Sequence, residues 1–352
     1  MRIGYSFWGF LGAGITDTPD GGRSHRRPLI DALIAAGHDV VLLQPNRDLI
    51  EAGDDLDGRY TFDSGLPDID VLFVEWRWAI AERNTTDCGT AGHTCDLHRQ
   101  ADLLRHYTYQ GGLPTIIWDK DRQLPANDAL RRRRGVVVCE AALAPTPGAR
   151  SLLFPLDDAL LRAADPSALA AQARPCPLAY VGNQYDRDEA FTRFFAPAAA
   201  RVPHRVAGKW CEPSRWPHVN FIGRVPFNEV HQIYGSTLAT VLLLPDRYAA
   251  AGQMTQRIFE AVLAGCVPLA PANIAHVEEF LPPQLIVQSA EDVIRCLHWL
   301  HKIAGSGEHA DLIATCLGRL ELFLLSRQFR VLQATLTELT SSHAAVLTWR
   351  RR

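Results

Sequence analysis

The sequence predicts an α/β protein made of two Rossmann-like domains that face a central cleft. Three observations lead there. Short apolar runs alternate with helical patterns along most of the chain, which is the rhythm of parallel βαβ units. That series breaks once, in a Pro/Ala-rich stretch from about 155 to 177 with no strand pattern, and then starts again. The chain has 352 residues, more than one core usually organises and enough for two α/β domains of ordinary size. Residues 1–155 are assigned to the first domain, 156–177 to a linker, 178–325 to the second domain and 326–352 to a helix returning to the first.

In the first domain, strands are expected at 2–7 (RIGYSF), 39–43 (DVVLL), 70–74 (DVLFV), 114–118 (PTIIW) and 135–139 (GVVVC). The runs VLFV and VVVC are continuous rather than alternating, as in strands covered on both faces. A helix over about 24–36 takes Ser24 as its expected N-cap and Gly37 as the residue just past its end. In the second domain the strands are LAYVG (178–182), HRVAG (204–208), VNFIG (219–223), TVLLLP (240–245), VPLAP (267–271) and LIVQ (285–288). Helices fall at about 186–200, 227–234 and 255–265, and helical sequence from 309 to about 345 is long enough to cross back onto the first domain. Ligands of open α/β sheets bind at the carboxyl ends of the strands, so two facing sheets can hold two substrates on opposite walls.

Composition narrows the function classes. A formal charge of -3 gives no global steering toward nucleic acid or an anionic membrane. Apolar residues make up 47% and charged residues 21%, the balance of a folded globular protein. No apolar run approaches the roughly 20 residues that span a bilayer. The opening MRIGYSFWGF is unlike a secretory signal, and eight scattered cysteines form no disulfide framework. Cytoplasmic localisation is the resulting expectation. No fixed-period repeat is present.

The most informative segment is 252–271, GQMTQRIFEAVLAGCVPLAP. It reads as an amphipathic helix ended by Gly265, followed by a short buried strand. Glu260 lies among Ile258, Phe259, Ala261 and Val262. A carboxylate in that company needs a partner, either ribose hydroxyls or a core arginine. The stretch Gly252, Gln253, Met254, Thr255 and Gln256 would offer free N–H groups and a positive dipole end to a diphosphate.

This segment resembles the nucleotide-binding helix of GT-B fold glycosyltransferases, with its R-x-F-E-A-x-x-x-G-x-x-P pattern. The nearest group is that of the CgeB-like proteins and other family-4-like enzymes. The resemblance implies that Glu260 holds the donor ribose. Family-4 enzymes carry a further glutamate eight positions earlier, where this chain has Gly252, so the sugar is left unread. The pair Gly21–Gly22 before a helix ending in AAGHDVV (35–41) looks like the family's opening unit, which brings Gly22 close to the donor. Gly182 and Asn183 of YVGN, then Arg187, match the first loop of the second domain, and Lys209 matches the basic residue that neutralises donor phosphate. Arg247, in the loop before Gly252, is a second phosphate or sugar contact. The implied activity is glycosyl transfer from a nucleotide sugar to a soluble, small-molecule acceptor bound in the first domain. No cofactor and no metal are implied, because helix amides with Lys and Arg neutralise the leaving diphosphate. A sugar-nucleotide epimerase on the same scaffold, or a non-catalytic nucleotide-sugar-binding protein, are the alternatives.

The first half offers candidate bases. Asp119 follows the strand PTIIW, and a carboxylate at a strand's carboxyl end can accept the proton of an attacking hydroxyl. With Asp121 it forms a D-x-D, the metal motif of the other large glycosyltransferase fold, or it serves a turn. Glu75 ends the strand DVLFV, beside Trp76 and Trp78, whose indoles suit a ring-bearing acceptor or a core. The cluster Cys88, His93, Cys95 and His98 has C-x4-H-x-C-x2-H spacing, which matches no established zinc-finger pattern. It reads first as a polar acceptor-side loop, with a zinc loop or a Cys88–Cys95 disulfide as alternatives and His98 as a possible base. Arg131–Arg134 lack interleaved aromatics and read as a solvated face rather than a nucleic-acid contact.

Overall fold

The computed structural model describes residues 1–12 and 23–350, with side chains as far as 341. The chain divides into two compact units. The first comprises Met1–Gly12, Arg26–Leu153 and the chain from Arg327 on; the second takes Phe154–Ser326 together with the start of the first helix, through His25.

The first unit is built on seven strands: β1 (Arg2–Ser6), β2 (Asp39–Leu42), β3 (Thr61–Phe62), β4 (Val71–Glu75), β5 (Thr115–Asp119), β6 (Val136–Glu140) and β7 (Arg150–Ser151). Their order is β3-β2-β1-β4-β5-β6-β7, parallel throughout, with Ile3 opposite both Val40 and Val71. Every residue of β4 and β5 is buried, which explains their unbroken apolar runs. β3 and β7 have two residues each, too short to leave a periodic signal.

The second unit holds β8 (Cys176–Val181), β9 (His204–Ala207), β10 (Phe221–Gly223), β11 (Thr237–Val241), β12 (Val267–Pro271) and β13 (Ile286–Val287). The order β10-β9-β8-β11-β12-β13 is again parallel. In both sheets the strand order reverses once, between β1 and β4 and between β8 and β11. The crevice outside those carboxyl ends is where such sheets take ligands.

The helix Arg23–Ala35 places Ser24 inside its first turn, which corrects its assignment as N-cap. Gly37 ends the helix at φ +82°, with its amide on Ile34 and that of His38 on Leu33. β11 begins three residues before the position predicted for it. Leu242, Leu243 and Leu244 are buried but lie beyond the strand; the Leu242 amide still donates to the Leu269 carbonyl of β12, while apolarity at Leu243 and Leu244 marks depth. The stretch read as a strandless linker carries two short helices, Asp158–Ala163 and Pro166–Ala171, capped by Asp157 and Asp165. The last helix, Leu325–Arg350, buries Leu332, Leu336 and Leu339. Gln328 accepts from the amide of Leu153, and Arg150 donates to Thr335 and pairs with Glu338, which holds this helix on the first unit.

Candidate functional site

At the carboxyl ends of β8 and β9 two loops run side by side. Gly182 and Gly208 allow that approach: a Cβ on Gly208, where φ is +135°, would lie 2.2 Å from the Gly182 carbonyl oxygen. Polar bonds then knit the loops together. The Lys209 amide donates to Asn183 Oδ1 at 2.7 Å, the Gln184 amide to the Lys209 carbonyl at 2.9 Å, and the Trp210 indole to the Gly182 carbonyl at 3.0 Å. Arg187 is buried beneath them, with its guanidinium donating to the carbonyls of Asn183, Tyr185 and Leu243. It therefore ties the β8 loop to the chain after β11, which corrects its assignment as a phosphate contact.

These loops, with the chain after β11, border an open cavity of about 660 Å³ lined by Gln184, Asp186, Lys209, Glu212, Asp246 and Arg247 among others. The volume falls in the range of small-molecule and cofactor sites. Lys209 is exposed at its rim. Arg247 pairs with Asp186 at 2.5 Å over the Tyr248 ring. Two cations, Lys209 and Arg247, thus line one cavity together with carboxylates.

The segment from Gly252 to Gly265 backs the same unit. Gly252 has φ +59°, and a Cβ there would meet the Ala275 carbonyl at 2.7 Å. The Gly252 and Gln253 amides are already taken by the Ala249 and Tyr248 carbonyls. Gln253 and Met254 are fully buried. Of the five residues expected to present N–H groups, these amides are therefore not available to a phosphate. The helix itself is Arg257–Leu263. Arg257 donates to the Val181 carbonyl at 2.7 Å, joining this helix to the end of β8. Glu260 is half-buried; burial pushes its carboxyl up, while the Ser24 hydroxyl and the Arg257 charge oppose that. Gly265 closes the helix in the left-handed conformation at φ +73°.

In the first unit the carboxyl-end carboxylates are strongly committed. Glu75 accepts from Tyr5 at 2.9 Å, from Arg26 at 2.8 and 2.6 Å, and from Lys120 at 2.5 Å. All four side chains are buried. Two flanking cations and the Tyr5 hydroxyl make it a buried charge hub already engaged within the unit, which corrects its reading as a catalytic acceptor of protons. Asp119 is also fully buried, and it accepts from the amides of Gln123 and Leu124 at 3.0 and 2.8 Å. That is a turn-closing geometry. Burial nonetheless pushes its carboxyl up to about 6, against the pull of those two amides. Trp76 and Trp78 are half-buried after β4, with Arg77 stacked over Trp78 and paired to the buried Asp96. His98 stands on the first turn of the helix Asp96–Leu103, 3.3 Å from Cys88 Sγ. Gly22 lies outside the described residues.

Residues 187–313 match the family model described as glycosyl transferase-like. No curated protein matches the chain. Among solved structures, T4 phage β-glucosyltransferase in complex with UDP-glucose has a TM-score of 0.58 at 12% identity, covering 97% of this chain and 98% of that one. The fold is GT-B. Anabaena Alr3699/HepE with UDP-glucose gives 0.57 at 11% identity, with 96% and 100% covered. AviGT4, a glycosyltransferase involved in avilamycin A biosynthesis, gives 0.55 at 15%, with 97% and 98% covered.

Within the GT-B frame, the second unit brings Lys209 and Arg247 to one cavity, while Gly182 and Asn183 lie in the loop leading to it and Glu260 stands on the separate helix Arg257–Leu263. Sequence reasoning passed over Gln184, whose side chain accepts from the amides of Cys211 and Glu212, and Arg257, the clamp on β8. The polar run NQYDRD directly after a buried strand was the available signal for Gln184.

Proposed function

We propose that the protein transfers a glycosyl group from a nucleotide sugar, with the donor seated in the second unit and the acceptor on the first. The cavity at the β8–β11 reversal, rimmed by Lys209 and Arg247, carries this reading, and the glycosyl transferase-like match over 187–313 supports it. Glu260 takes the ribose hydroxyls. Lys209 and Arg247 neutralise the diphosphate as it leaves, a task that elsewhere falls to a divalent ion. The R-x-F-E-A-x-x-x-G-x-x-P run from Arg257 to Pro268 favours the CgeB-like, family-4-like branch. The half-buried indoles of Trp76 and Trp78 favour a soluble, ring-bearing small-molecule acceptor. The GT-B neighbours in complex with UDP-glucose make UDP-hexoses the first donors to test.

Thermal shift against UDP, GDP, ADP and TDP identifies the nucleotide, since a ligand that binds only the folded state raises the melting temperature. Hydrolysis and transfer assays with the matching sugars follow, with and without added magnesium or manganese. Expected are stabilisation by one nucleoside diphosphate, slow hydrolysis of its sugar, and no dependence on added ion. In Lys209→Ala the affinity for the diphosphate falls at least tenfold more than that for the bare nucleoside, because only the former carries the charge being neutralised. Absence of any nucleotide-dependent shift would overturn the assignment.

A further inference from the structure

The loop after β4 carries a feature that glycosyl transfer does not use. Cys88, His93, Cys95 and His98 each present one ligand atom, and the four atoms lie within 4.8 Å of one another. We propose that these residues form a structural zinc site, two thiolates and two imidazoles, that locks this loop at the carboxyl end of the first sheet. The proposal replaces the polar-loop reading of the segment and its expectation of no metal.

The distances carry it. Tetrahedral zinc with sulfur at about 2.3 Å and nitrogen at about 2.0–2.1 Å sets its ligand atoms roughly 3.3–3.8 Å apart. Cys88 Sγ is 3.9 Å from Cys95 Sγ and 3.3 Å from His98 Nδ1. Closing the widest pair needs a contraction of about an ångström, and the loop is built to give it. Gly89 and Gly92 both sit in the left-handed region, at φ +90° and +80°, and turn the chain so that Cys88 returns toward His93. Cys95 and His98 are brought to one face by the first turn of the helix Asp96–Leu103.

His93 supplies an independent sign. Its Nδ1 lies 3.0 Å from the Thr86 hydroxyl, while its Nε2 is buried without a hydrogen-bond partner. When Nδ1–H donates to that hydroxyl, Nε2 carries the lone pair a metal would take, the arrangement seen behind metal-bound histidines. Two sulfurs and two nitrogens in a tetrahedron select zinc over magnesium or calcium. Four protein ligands leave no open position, so the ion is structural. Binding displaces one proton from each thiol, and two protons are released per zinc bound. His98 then serves as a ligand and is removed from the candidate bases. The base of the loop is fixed separately, by Arg77 on Asp96 and Gln100 and by Asn84 on Ile80 and Trp78. Zinc at the tip would add a second fixed point to the same loop.

The test is the metal content of the full-length protein, purified reduced and without a histidine tag, beside Cys88→Ser, Cys95→Ser and His98→Asn. Expected is about one zinc per wild-type chain and roughly a tenth of that or less in the cysteine variants. Reconstitution with cobalt gives thiolate-to-metal charge transfer and the d–d bands of a tetrahedral site. Release of zinc by a thiol reagent speeds tryptic cleavage after Arg83. Should a variant fail to fold, the zinc content and cobalt spectrum of the wild type still decide. The proposal is overturned by a reduced wild-type chain that neither retains zinc nor takes it up, by full metal content in Cys88→Ser, or by a Cys88–Cys95 disulfide in the isolated protein.

Discussion

Glu260 and Asp119 are both carboxylates pushed up by burial, yet they do different work. Glu260 is half-buried, with hydroxyl and guanidinium neighbours that a ribose can join or replace. Replacing it with alanine is expected to weaken nucleoside diphosphate binding by about 1.5–3 kcal/mol, the range for a hydrogen bond to a charged group. Calorimetric titration of the folded variant measures this, and unchanged affinity removes Glu260 from the site. Asp119 has no exposed surface, and its raised carboxyl gives stability a pH signature. The folded chain holds that proton more tightly than the unfolded one. The contribution is therefore fully present below the ordinary value of 3.8 and is lost as pH rises through about 6. Asp119→Asn lacks this titration. Relative to it, the wild type should lose about 2–3 kcal/mol between about pH 4 and about pH 7.5. Urea unfolding at stepped pH reads the difference, and parallel profiles would show that the carboxyl does not titrate in this window.

The paired loops after β8 and β9 are the elements on which the cavity proposed for the donor depends. Gly208→Ala adds a methyl where the Gly182 carbonyl already stands and where the backbone is left-handed. A cost of roughly 1–3 kcal/mol is expected, with nucleotide affinity falling as the loops part. A crystal structure or backbone amide shifts for Gly182–Gln184 would register the displacement; wild-type stability and affinity together would contradict it. The elements differ in how much of themselves they show in sequence. The buried central strands were readable because parallel strands covered on both faces leave continuous apolar runs. Gly37 and Gly265 were readable because a left-handed helix end selects glycine. β3 and β7 left no signal, since two residues carry no period. β11 was misplaced because leucines packed in a loop look like leucines in a strand. Lys209 and Arg247 were legible as candidates, and both line the cavity beyond β8 and β9. Arg187 and Glu75 were not legible as structural groups, because a guanidinium on backbone carbonyls and a carboxylate between two cations are facts of tertiary placement.

At the scale of the whole molecule, the final helix belongs to the unit that the chain began. Ending the chain after Ser326 would remove Leu332, Leu336 and Leu339 and leave the Leu153 amide without its Gln328 partner. Hydrogen exchange in β6 and β7 is then expected to accelerate by about tenfold or more, with β11 and β12 protected as before. Equal protection in both sheets would show that the helix is dispensable to the first. The same arrangement sets an order of events during synthesis. The first sheet leaves the ribosome early but cannot be closed until the whole second unit has been made, because the residue that satisfies Leu153 comes after it. The second unit is nearly continuous in sequence and can condense as it emerges. The half made first is thus the half finished last, and in that interval its uncovered β6–β7 edge is the surface a chaperone would meet.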